Sequence, residues 1–115
     1  MITQNIERIT AELMEVFPGA KSAKEGTATL VRLPEVHFPD GCNPKSTGAL
    51  VVLDVNQPKP AFFLNVIPHM RGGQQPPVGT AVVGGDNWST FSFNLAWTEE
   101  MTGTQFVAGM LRRFA

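Results

Sequence analysis

The chain has 115 residues, 43% of them hydrophobic and 17% charged, with a formal net charge of −1. One core usually serves roughly 100–200 residues, so a single domain over 1–115 is expected, long enough to fold without disulfides or a structural metal. The balanced charge, with no basic run and no acidic tail, argues against nucleic acid as a partner, and the lone Cys42 excludes an intramolecular disulfide.

Ile2, Ile6, Ile9, Leu13 and Phe17 recur at spacings of three and four, which predicts an amphipathic helix that Pro18-Gly19 ends. Glu7, Glu12 and Glu15 interrupt this segment, so it is neither a secretory apolar region nor a membrane span. A single unpaired cysteine suits a reducing compartment, and the expectation is a cytoplasmic protein with no membrane partner.

Residues 20–26 are polar and short, and read as a connection. A strand is predicted over Thr27–Leu33, closed by Pro34 and by Pro39-Asp40-Gly41. A second strand covers Ala49–Val55, so continuously apolar that both its faces should be covered. A third follows the prolines at 58 and 60 and runs from Ala61 to Ile67. From Pro68 to Asn87 glycines and prolines crowd around a short apolar stretch, Val78–Val83, and the segment reads as a long glycine-rich loop. Phe91, Phe93, Leu95 and Trp97 then alternate with polar or small residues, the period of a strand with one buried face. The chain closes with an amphipathic helix carrying Phe106, Val107, Met110, Leu111 and Phe114, with Thr102 or Thr104 as its cap and Arg112 and Arg113 at its negative end. The class is α+β: an N-terminal helix, an antiparallel β-meander, a glycine-rich loop and a C-terminal helix.

This order resembles a minimal ubiquitin-conjugating fold. Residues 58–69, from Pro58 through Phe62-Phe63 to Pro68-His69, are similar to that family's last meander strand and the start of its His-Pro-Asn signature, with His69 at the histidine. Trp97-Thr98 before a helix resembles the family's tryptophan beyond the active site. The stretch from Phe38 to Phe114, with Trp88, Phe91-Ser92 and Trp97, is similar to divergent bacterial relatives of the conjugating enzymes. The resemblance implies a bacterial pathway of ubiquitin-like modification, with a ubiquitin-like protein and its activating enzyme as partners and no cofactor.

The departures are specific. Met70 and Arg71 replace the family's proline and asparagine, leaving Arg71 to stabilise an oxyanion. The family's cysteine position falls on Ser89, so a carrier would form an oxyester, with His69 as the sole candidate base. Ser92 is a rival for that role, but the position two residues after it, where the bacterial relatives often carry histidine, is Asn94. The two helices that follow in full-length conjugating enzymes have no counterpart in this sequence.

Each candidate has a structural reading as well. Ser89 also reads as a polar strand residue, His69 as a loop anchor and Cys42 as a small semi-buried turn residue. The spacing of His37, Cys42 and His69 matches no zinc pattern, and no metal site is expected. Arg71-Gly72-Gly73 is similar to the Arg-Gly-Gly end of ubiquitin, but an internal copy offers no carboxylate to activate and reads as loop. Trp88 falls out of phase with the alternation that begins at Phe91 and is expected to be partly exposed. With Trp97, Gly72 and Gly73 it makes up the candidate protein-contact set. The alternative to a carrier is a non-catalytic binding or assembly module of the same fold.

Overall fold

The apolar stripe of the first segment forms helix α1 (Thr3–Val16), which buries Ile6, Ile9 and Leu13. Phe17 closes it through its N–H to the Leu13 carbonyl, and Gly19 (φ +78) turns the chain away. The computed structural model describes all residues, 1–115. Six strands follow: β1 (Lys21–Glu25), β2 (Ala28–His37), β3 (Ser46–Asp54), β4 (Ala61–Leu64), β5 (Gly79–Val83) and β6 (Asp86–Thr90). Helix α2 (Gly103–Leu111) and a 3-10 turn (Arg112–Phe114) end the chain. The strands form one antiparallel sheet in the order β1-β2-β3-β4-β6-β5, so the fold is α+β, with two helices against a six-stranded antiparallel sheet.

Three expectations are corrected. The polar stretch read as a connection is strand β1, exposed along its whole length and paired to β2 through a tight turn at Gly26 (φ +60), the backbone that a type II′ hairpin requires. The supposed glycine-rich loop contains the β5–β6 hairpin. Gly84 (φ +60) and Gly85 (φ +83) supply its two-residue turn, with Val83 paired to Asp86. The segment 91–97 is extended, and its side chains alternate between half-buried and exposed, but it joins no ladder. No backbone–backbone hydrogen bond forms from Phe91 through Trp97. Its aromatic knobs hold it instead: Phe91 on Phe62 and Phe114, and Trp97 edge-on to Phe106.

Strand β3 lies at the centre and is covered on both sides. Ala49, Val51 and Leu53 face α1, α2 and the 91–97 segment within the main core, which also holds Val31, Leu33, Phe62 and Leu64. Leu50 faces the opposite side, where it meets Leu30 and Trp88 in a second, smaller core. The β5–β6 hairpin reaches this second face by curling over the sheet. At its tip the Gly84 carbonyl and Asp86 Oδ2 accept from Arg32 Nη2 of β2, at 3.2 and 3.0 Å. At the far end of β3, Asp54 Oδ1 accepts from Asn56 N–H and the Thr27 hydroxyl, at 2.9 and 2.8 Å, and these bonds hold the Asp54 carboxyl below the usual aspartate range.

The helices are locked together by one close approach and by one hydrogen bond from the start of α2 to a carboxylate of α1. A Cβ at Gly103 would stand 2.9 Å from Leu13 Cγ and 3.1 Å from both Ile9 Cγ2 and the Ile9 carbonyl oxygen. Glu12 pairs with Arg8 at 3.0 Å and also accepts from Gly103 N–H at 2.9 Å, which places a carboxylate at the positive end of α2. Thr102 and Gln105 close a reciprocal capping box at the same end. Gly109 faces Leu95, whose Cδ1 would lie 2.9 Å from an added Cβ. The obstacle at Gly103 includes helix backbone, whereas at Gly109 it is one side chain on a segment free of backbone ladders. Gly103→Ala should therefore destabilise by about 1–3 kcal/mol in urea unfolding, as overpacking of a well-filled site does, and Gly109→Ala by less. Equal losses, or a neutral Gly103→Ala, would show that the helices do not pack this closely.

Candidate functional site

The loop after β4 is built around its own backbone bonds. Met70 N–H donates to Gln74 O and Gly73 N–H to Met70 O, while Gln75 Nε2 donates to the Ile67 carbonyl. Gly72 (φ +87) and Gly73 (φ +81) occupy the left-handed region that this turn needs, with open space around them. His69 is fixed by its main chain: its N–H donates to the Asn43 carbonyl at 2.9 Å and its carbonyl accepts from Asn43 N–H at 2.8 Å. The imidazole itself is exposed and makes no hydrogen bond. Arg71 folds back over the turn at Gly41 (φ +91), where its Nε would lie 2.9 Å from an added Cβ. With Asp40 and Arg113 it lines an open depression of about 440 Å³ beside the chain's last residues.

Cys42 lies beneath this loop. It is 5% exposed, its thiol donates to the Phe114 carbonyl at 3.4 Å, and burial pushes its pKa up. Both effects keep the sulfur as a neutral thiol, the form that is neither a good nucleophile nor a metal ligand. His37 Nε2 sits 3.0 Å from Glu35, so His37, Cys42 and His69 each have separate surroundings, and no three His, Cys, Asp or Glu side chains converge.

Ser89 lies in β6, opposite Leu64 of β4 and Thr80 of β5. Its hydroxyl donates to the Asn65 carbonyl at 3.2 Å. A base must stand within about 2.6–3.2 Å of the proton it takes, directly or through one water. No hydrogen bond or ion pair connects Ser89 with His69 or Arg71. Ser92 points outward from the 91–97 segment and is exposed. Trp97 is half-buried against Phe106 at 5.8 Å. Trp88, expected to be partly exposed, is 6% exposed, and its Nε1 has no hydrogen-bond partner. The phase argument fails there because Trp88 belongs to a strand whose pleat is separate from the free segment that begins at Phe91.

The structure also assembles residues that the sequence reading passed over. On the face opposite the helices, Lys21, Arg32, Gly48, Asn65 and Trp88 line a cleft of about 390 Å³. Lys21 and Arg32 are cross-strand partners in the β1–β2 register. Seeing this needs β1 as a strand and its register, and five polar or small residues in a row carry no periodicity to announce either.

Comparison with protein-family models, with curated proteins and with solved structures returned no match.

The burial of Cys42 has a direct consequence. A thiol-specific reagent such as a disulfide dye should label the native protein slowly at neutral pH and rapidly once denaturant unfolds it. Fast labelling of the native form near pH 7 would mean that the sulfur is open and ionised.

Proposed function

We propose that this chain is a ubiquitin-conjugating-like domain that positions a ubiquitin-like protein by non-covalent contact and does not carry it on a side chain. The order of elements supports the likeness: one helix, four consecutive antiparallel strands, a loop bearing His69, then Trp97 ahead of a helix that packs on α1. The β5–β6 hairpin is an elaboration placed where the resemblance leads one to expect the carrier residue.

The observation that carries the non-covalent reading is the state of Ser89. Its hydroxyl is spent on a main-chain carbonyl inside a paired strand, with no base attached. Serine is barely ionised at neutral pH, so without an adjacent base it is a poor acyl acceptor. Cys42, the other nucleophile, is a buried thiol held neutral. The exposed loop of His69, Arg71, Gly72 and Gly73 is the part of this region open to a partner protein.

The test mixes the full chain with the ubiquitin-like protein and adenylating enzyme of the same organism, ATP and magnesium. Co-elution in size exclusion is expected, weakened by Arg71→Ala, with no adduct on a denaturing gel. An adduct that survives thiol and disappears in Ser89→Ala would replace this reading with a serine carrier. Failure of the ubiquitin-like protein to bind at all would remove the pathway altogether.

A further inference from the structure

We propose that the outer edge of β5 is a self-association site, pairing antiparallel with β5 of a second copy of this chain about a two-fold axis at Ala81. The inference stands apart from the proposed pathway, since β5 shares no residue with the His69–Arg71 loop.

Unmet backbone bonding is the first observation. Strand β5 ends the sheet and pairs with β6 alone. Across a two-residue turn the flanking residues, here Val83 and Asp86, exchange both hydrogen bonds, and the pattern then alternates along the ladder. Val83, Ala81 and Gly79 therefore bond to β6, and the N–H and C=O of Thr80 and Val82 point outward. The far side of the hairpin agrees: Ser89, which stands opposite Thr80, pairs in turn with Leu64 of β4. No backbone bond from a turn or loop elsewhere in the chain reaches Thr80 or Val82.

Charge is the second. The other edge of the sheet, β1, carries Lys21, Lys24 and Glu25 among its five exposed residues, and charge on an edge strand, lysine above all, resists pairing with another chain. Strand β5 has neither a charge nor a proline, and its Val82 is 73% exposed, more than any other large hydrophobic side chain of the protein. Two copies can thus approach along this edge with no like charges opposed.

The strand is also complementary to itself. Val83 packs on the small core of Leu30, Leu50 and Trp88, and by alternation Thr80 and Val82 make the outer face. With Ala81 on the axis the whole strand is paired, Gly79 opposite Val83 and Thr80 opposite Val82. The outward groups of Thr80 and Val82 then bond to those of Val82 and Thr80 in the second copy, and each exposed valine packs beside a threonine. A contact that uses the same patch on both copies closes at a dimer. So short a strand makes a small interface, and the expected dissociation constant is weak, on the order of 100 µM.

The test follows sedimentation of the full chain from about 10 µM to about 1 mM, with amide hydrogen exchange read at both ends of that range. A monomer–dimer equilibrium is expected, and the Thr80 and Val82 amides should exchange roughly fivefold more slowly at the higher concentration. Amides along β1 should not change. Thr80→Pro removes one outward N–H, a change that an edge strand tolerates, and Val82→Lys places a charge on the edge; both should be monomeric throughout. Val16→Lys, at an equally open valine on α1, should dimerise as the parent does. The exchange measurement needs no variant, so it decides the matter even where a substitution disturbs the hairpin. The proposal is overturned by a parent that stays monomeric at the highest concentration, by Thr80 and Val82 amides indifferent to concentration, or by assembly that grows beyond a dimer. Undiminished dimerisation of folded Thr80→Pro or Val82→Lys, or its loss in Val16→Lys, would overturn it equally.

Discussion

The structure depends on one constraint: strand β3 must be covered on both faces. Ala49, Leu50, Val51 and Leu53 are all fully buried, so consecutive side chains, pointing to opposite sides of the sheet, each need an apolar neighbour. Exposing Leu50, Val51 or Leu53 would forfeit roughly 1.5–3 kcal/mol of burial. The helices and the aromatic knobs of 91–97 cover one side. No helix remains for the other. The chain meets that need by folding the β5–β6 hairpin back over the sheet, which brings Trp88 onto Leu30 and Leu50 and lets Arg32 hold the tip. The Arg32–Asp86 pair is partly exposed and adds little by itself, on the order of 0–1 kcal/mol. The indole is what makes the second face viable.

This arrangement bears on the functional reading. The hairpin places Ser89 inside a sheet, where neighbouring strands fix its backbone and the Asn65 carbonyl takes up its hydroxyl. Its neighbour Trp88 is needed as a plug and is withdrawn from the surface. The residues left open are those of the loop after β4, pinned at His69 by Asn43 and shaped by two glycines in left-handed conformation. A paired strand suits structure and an anchored, exposed loop suits contact, which is why the proposed function rests on binding.

Sequence legibility followed the strength of periodic burial. The stripe Ile6-Ile9-Leu13 and the continuous run in β3 each carry a local signal and were readable, while the cap of the last helix was narrowed only to Thr102 or Thr104, of which Thr102 holds it. Strand β1 was not, because all five of its residues face water and its pairing is imposed by β2. The hairpin was obscured because β5 is short and exposed on an edge, although Gly84-Gly85 between two β-prone stretches is itself a hairpin signal. The 91–97 segment misled in the opposite sense: side-chain alternation reports which side is buried, and says nothing of whether a neighbouring strand exists. How the candidate site residues sit relative to one another was not legible. Whether Ser89 meets His69 is a matter of long-range register, and so is the meeting of Lys21 with Arg32.

The most direct test of this account is the stability of two substitutions at Trp88, measured by denaturant unfolding. Trp88→Ala should cost about 3–5 kcal/mol, the usual loss for removing a buried large aromatic. Trp88→Phe should retain most of the stability, since it keeps an aromatic plug and removes a buried N–H that has no acceptor. A Trp88→Ala protein within about 0.5 kcal/mol of the parent, as for a surface site, would contradict the claim that the hairpin exists to cover the second face of β3.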